Sequence, residues 1–99
     1  MLLVNGKEIK SSISMPKAID CVAKGFSDFN DGLFSMPQRS IMDIKGATVL
    51  TMPAYRKDGE YFVIKVVTVF HNFSIKKDKI VNSSVLVFDS KTGNLLAKL

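Results

Sequence analysis

The 99-residue chain has no tryptophan, one histidine and one cysteine. A lone cysteine, Cys21, excludes an internal disulfide framework and fits a reducing interior. With His71 as the sole imidazole, a multi-ligand His/Cys metal site and an ordinary Ser-His or Cys-His pair are both poorly supported. The six glycines never assemble into a G-x-G-x-x-G or P-loop pattern, so no recognisable nucleotide-phosphate site is present. No apolar run is long enough for a membrane span, and the short "LLV" start is too brief for a signal peptide. A cytoplasmic protein without membrane contact is expected. No internal repeat, low-complexity segment or linker interrupts the chain.

Hydrophobic content of 46% with 23% charged residues suits one folded domain over residues 1–99. The net charge of +5 invites a nucleic-acid reading. Its densest cluster, however, is "SIKKDKI", where Lys76, Lys77 and Lys79 lie between two apolar strands. That placement reads as a solvated connection, and no aromatic or glycine pattern of a nucleic-acid module accompanies it. No nucleic-acid partner is expected.

The stretch "SISMPKAIDCVAKGFSDFNDG" carries one clear helix. Pro16 suits a first helical turn, and Ala18, Ile19, Val22, Ala23, Phe26 and Phe29 recur at helical spacing to form one apolar, core-facing stripe. Cys21 falls beside that stripe and reads as a small packed hydrophobe. Asn30-Asp31-Gly32 supplies a left-handed stop. Beyond it, "RSIMDI", "ATVLTMPAY", "YFVIKVVTVF" and "IVNSSVLVFD" are rich in β-branched residues and separated by Lys45-Gly46, Lys57-Asp58-Gly59 and the lysine loop. A hairpin around Gly93, supported by Asp89, leads into a last strand. The expected fold is α+β, with one or two N-terminal helices packed on a mostly antiparallel β-sheet. Strands 61–70 and 80–88 are apolar on both faces, more than one helix can cover, so a second subunit or a further piece of protein is expected to close the sheet.

Two cations stand in apolar surroundings. Arg39 follows a proline in "SMPQRSI" and is placed to open a strand; Lys65 interrupts "VIKVV", with Val63 and Val67 on its own face. A guanidinium grips a carboxylate through two parallel hydrogen bonds, and a neighbouring ammonium adds a point charge. A lysine in an apolar site can also exchange protons near neutral pH. The plainer alternatives are an Arg39–Asp43 pair and a snorkelling Lys65. His71 and Asn72 read as loop residues.

The segments "MPKAID", "MPQRSI", "TMPAY", "IKVVTVF" and "VLVFDSKTGNLLA" follow one another in an order and spacing that resembles the N-terminal part of the ornithine cyclodeaminase/mu-crystallin family, roughly from Met15 to Leu96. The resemblance implies a substrate-binding and dimerisation domain of an NAD(P)-dependent enzyme, or enzyme relative, acting on an amino or imino acid. It implies that Arg39 and Lys65 hold the substrate carboxylate, with Lys65 also the catalytic candidate for proton transfer. It further implies a homodimer, and a following Rossmann domain that this chain does not contain. The chain alone is therefore expected to bind no cofactor and to be inactive, with NAD(P) belonging to an intact homologue. The alternative is a non-catalytic relative acting as a self-associating or small-acid-binding module. Departures from the family pattern are "HNF" after the long strand, Ile80 and Ser83 near "VLVFD", and Ala23 in the helix.

Overall fold

The computed structural model describes residues 1–71 and 79–99, with Lys79 described through its backbone. The elements run β1 (Leu2–Leu3), α1 (Gly6–Ser12), α2 (Met15–Asn30), β2 (Phe34–Ser35), β3 (Ser40–Ile44), β4 (Ala47–Arg56), β5 (Tyr61–His71), β6 (Lys79–Asp89) and β7 (Leu95–Lys98). Among the described residues the sheet has seven strands in the order β1-β7-β6-β5-β4-β2, with β3 also paired to β4. Among the described residues only the β1–β7 pair is parallel. The α+β, mostly antiparallel fold expected from the sequence is the observed one. No described helix is long and apolar enough to cross a membrane.

Both helices start on side-chain caps. In α1, Asn5 Oδ1 accepts from the Glu8 amide at 2.9 Å while Glu8 Oε1 accepts from the Asn5 amide at 3.2 Å, a reciprocal capping box. In α2, Ser14 Oγ accepts from the Lys17 amide and Pro16 occupies the first turn. That helix ends as the sequence predicts, with Gly32 at φ +76°. Gly46 and Gly93 take the same left-handed conformation in the two tight hairpins.

Pro53 decides the shape of the sheet edge. The His71 amide donates to the Gly46 carbonyl, so even-numbered β4 residues bond toward β5 and odd-numbered ones toward β2 and β3. Pro53 is odd, and it lacks the N–H that the edge side would use. Pairing on that side breaks there: Ser35 faces Tyr55 in β2, whereas Ser40 faces Thr51 in β3. Four residues, 36 to 39, thus stand against three, 52 to 54, which is a β-bulge with one extra residue.

The molecule does not close a core around this sheet. Among the described residues Ala47 is the sole buried apolar one, and no side chain is fully buried. The radius of gyration is 15.8 Å, against about 13 Å for a compact domain of this length. The apolar stripe of α2 is the clearest case, with Phe26 71% exposed and Ile19, Val22 and Phe29 more than half exposed. The helix meets the sheet edge through Asp28, and its stripe lines an open groove of about 380 Å³ with Phe34 and Met36.

Four sequence expectations change here, the first being that the α2 stripe of Ile19, Val22, Phe26 and Phe29 faces no core within this chain. Cys21 is exposed rather than packed, because the stripe beside it is not covered within the chain. His71 belongs to β5 rather than a loop, held by the Gly46 carbonyl. Arg39 does not open a strand: β3 begins at Ser40, and Arg39 is the last residue of the bulge. Asn72 and the loop lysines Lys76 and Lys77 lie outside the described residues.

Candidate functional site

Directly opposed residues on neighbouring strands point to the same face of a sheet. Met52 faces Lys65, and Lys65 faces Val85. Counting back from the Ser40–Thr51 pair places Arg39 opposite Met52; counting forward from Ser35–Tyr55 places Gln38 there too, as the bulge requires. Met52, Lys65 and Val85 therefore form one cross-strand row, and Arg39, outside the paired register, stands at the end of the bulge beside it. Two strand spacings separate the Arg39 and Lys65 backbones, about 9.5 Å.

Lys65 is half-buried and Arg39 exposed. Among the described residues neither makes an ion pair or a side-chain hydrogen bond. The Arg39–Asp43 pair considered from the sequence does not form. Asp43 instead accepts from Thr48 Oγ1 at 3.4 Å, and Thr48 Oγ1 also lies 3.3 Å from His71 Nε2. This chain of three polar groups ties β3, β4 and β5 together on the Lys65 face. It went unseen in the sequence because only the Asp43–Thr48 register brings its members into contact.

A second polar junction holds α2. Asp28 accepts from Arg56 Nε at 3.2 Å and from Lys24 Nζ at 3.1 Å. The Lys24 hydrogen bond, followed by that from Arg56 and the charge of both, holds the Asp28 carboxyl below its ordinary range against the opposing effect of burial. At the same end of the sheet, two strands away, Asp89 Oδ1 accepts from the Lys91 and Thr92 amides at 2.7 and 3.0 Å. These bonds likewise hold its carboxyl low. Asp89 has the turn-supporting role read from the sequence.

The structure does not fit a dinucleotide. Its one parallel pair joins the first and last strands, no strand–turn–helix–strand unit is present among the described residues, and no glycine-rich turn opens a helix. Nor do three of His, Cys, Asp and Glu gather among the described residues.

The ornithine cyclodeaminase/mu-crystallin family model matches residues 1–98. The chain belongs to this family. Several solved structures share its fold over 99% of its length. The Δ1-pyrroline-2-carboxylate reductase of Thermococcus litoralis, solved with NADH and L-proline, is 32% identical with a TM-score of 0.86. An archaeal alanine dehydrogenase dimer with bound NAD scores 0.82, and a probable ornithine cyclodeaminase from Bordetella pertussis Tohama I scores 0.77. At 23% identity each, these two show the shared fold alone. The family chain described here spans 31%, 30% and 29% of these three structures, about a third of their length. Among curated proteins no match is found.

Proposed function

We propose that this chain is the substrate-carboxylate-binding and dimerisation part of an NAD(P)-dependent enzyme acting on an amino or imino acid. One observation carries the reading: Lys65 lies half-buried in an apolar strand, opposite Met52 and without a partner among the described residues, with the exposed Arg39 at the neighbouring bulge. An ammonium kept at such a place for stability alone would be expected to have a counter-charge. A substrate carboxylate would supply one, gripped by the Arg39 fork and the Lys65 point charge. So held, the carboxylate would bring its α-carbon over the apolar sheet face, within reach of Lys65 Nζ for holding or moving a proton. The 32%-identical relative solved with NADH and L-proline supports a hydride-transfer setting for the whole enzyme. That chemistry would be supplied by a Rossmann domain outside these 99 residues, and no step of it is carried by this chain.

Self-association completes the proposal. The exposed stripe of α2, with Phe34 and Met36, is a continuous apolar surface, and an identical surface on a second copy would cover it. A non-catalytic module that self-associates would share this face but would have no use for an unpartnered Lys65.

The test is a titration of the 99-residue chain with pyrrole-2-carboxylate, followed by NMR. The expected result is a saturable shift at Met52, Lys65 and Val85 that disappears in Lys65→Met. Absence of the shift, or its persistence in Lys65→Met, would remove the carboxylate reading.

A further inference from the structure

An asparagine or aspartate stands before glycine at three places: Asn5-Gly6, Asp31-Gly32 and Asp58-Gly59. At such a step the glycine amide nitrogen can attack the preceding side-chain carbonyl carbon and close a five-membered imide, since no Cβ hinders its approach. The structure separates the three. The Gly32 amide is engaged by the Phe29 carbonyl at 3.0 Å, and the Gly59 amide by the Arg56 carbonyl at 2.8 Å. Both of these steps also offer a carboxyl group, which as a carboxylate is a far poorer electrophile than an amide. The Gly6 amide opens α1 and, among the described residues, donates to no acceptor. Asn5 and Gly6 are exposed to water, and a Cβ built at Gly6 would meet nothing within 4 Å.

The capping box favours the attack. Asn5 Oδ1 accepts the Glu8 amide at 2.9 Å, so a donor already stands at the oxygen on which negative charge collects as the tetrahedral intermediate forms. Ring closure requires the Asn5 ψ to leave its present 171°, which loosens the first helical turn. That loosening costs little, because α1 is seven residues long and buries none of them.

We propose that Asn5-Gly6 is a self-modifying site of the folded chain. The Gly6 nitrogen bonds to Asn5 Cγ, the Cγ–Nδ2 bond breaks, and the side-chain nitrogen departs as ammonia with the proton of the Gly6 amide. Water then opens the imide, and no oxidant or reductant is consumed. Attack at the side-chain carbonyl leaves aspartate, and attack at the main-chain carbonyl leaves isoaspartate. Aspartate keeps an oxygen for the Glu8 amide and adds negative charge at a helix start. Isoaspartate routes the main chain through the former side chain and so removes the reciprocal pairing with Glu8. One residue earlier the Val4 amide bonds the Lys98 carbonyl, so the loss falls where β1 joins α1.

The experiment incubates the 99-residue chain in mildly alkaline buffer, native and in urea. Each of the three steps is followed by peptide mass spectrometry, with fragmentation that separates aspartate from isoaspartate. In the native chain Asn5 should convert within about threefold of its rate in urea, whereas Asp31 and Asp58 should isomerise only in urea. Gly6→Ala, with open space for its methyl, should slow the native conversion severalfold. In NMR spectra the Glu8 amide should leave its capped position in the isoaspartyl product and keep it in Asn5→Asp. Native conversion more than about threefold slower than in urea would overturn the inference, since the cap would then guard Asn5. Native isomerisation of Asp31 or Asp58 as fast as Asn5 converts, an undiminished rate in Gly6→Ala, or an unmoved Glu8 amide in the isoaspartyl product would overturn it too.

Discussion

Asp28 and Arg56 stand 28 residues apart in sequence, and their 3.2 Å ion pair joins the end of α2 to the end of β4. Lys24, one helical turn before Asp28, completes the junction. Since α2 buries so little of its apolar stripe, this polar clasp carries much of the helix's attachment. The folded carboxyl binds its proton less tightly than the unfolded one, because its pKa lies below the ordinary 3.8. Its stabilising contribution is therefore complete above that value and is lost as pH falls through the folded pKa. Asp28→Asn should lower the urea midpoint at pH 6, and the gap from the parent chain should close on acidification below pH 3.8. A gap that widened in acid would show that the charge of Asp28 is not what matters.

Gly59 is required by a close approach. A Cβ built there would lie 2.8 Å from the Arg56 carbonyl oxygen, which is backbone and cannot move aside cheaply. The same oxygen accepts the Gly59 amide, so the turn cannot open without losing that bond. Gly59→Ala should destabilise the chain by about 2 kcal/mol in urea unfolding. Gly6→Ala is the contrasting variant: it lies in α1 with open space around it. It should be neutral or stabilising by up to about 1 kcal/mol.

Thr48 links Asp43 and His71 through one hydroxyl. Valine has the same branched shape and suits a strand equally well, so Thr48→Val removes the hydrogen bonds with little change in packing. The expected loss is about 1 kcal/mol, the ordinary net worth of such bonds. Hydrogen exchange should show it mainly as weaker protection in β3, the edge strand that the chain of contacts secures.

How much of this was legible beforehand depended on whether a signal was local. Alternation marked the long strands and put Val63 and Val67 beside Lys65, and the glycines marked the hairpins. Helix α1 was missed as a definite element because it carries almost no apolar stripe. Its signal lay in Asn5 and Glu8, three residues apart, which together form the capping box. Cys21 was misread because helical spacing shows which residues share a face, not whether anything covers that face. The Met52–Lys65–Val85 row and the bulge that ends at Arg39 needed the register, which spacing along one strand does not reveal.

Phe26 lies at the centre of the exposed α2 stripe, 71% accessible, and lines the groove with Phe34 and Met36. Losing so exposed a side chain changes the stability of the single chain little, within about 0.5 kcal/mol. If a second copy covers the stripe, Phe26→Asp would place two carboxylates in an apolar interface and abolish association. Sedimentation at micromolar concentration should show the parent chain as a dimer and Phe26→Asp as a monomer with unchanged circular dichroism. A parent chain that sediments as a monomer would remove the dimer proposal.

Lys65→Met separates stability from binding. Methionine matches the length of lysine, is apolar, and would sit among Met52, Val63, Val67 and Val85 on a face that is otherwise apolar around it. Lys65 has no ion pair among the described residues to lose. The substitution should therefore leave folding stability unchanged or raise it by up to about 1 kcal/mol, as measured in urea. The same variant should lose pyrrole-2-carboxylate binding. A lysine that served the fold would give the opposite pattern, with a lower urea midpoint and ligand binding no weaker than in the parent. Stability gained where binding is lost is the signature of a residue retained for its chemistry at a local cost to the sheet.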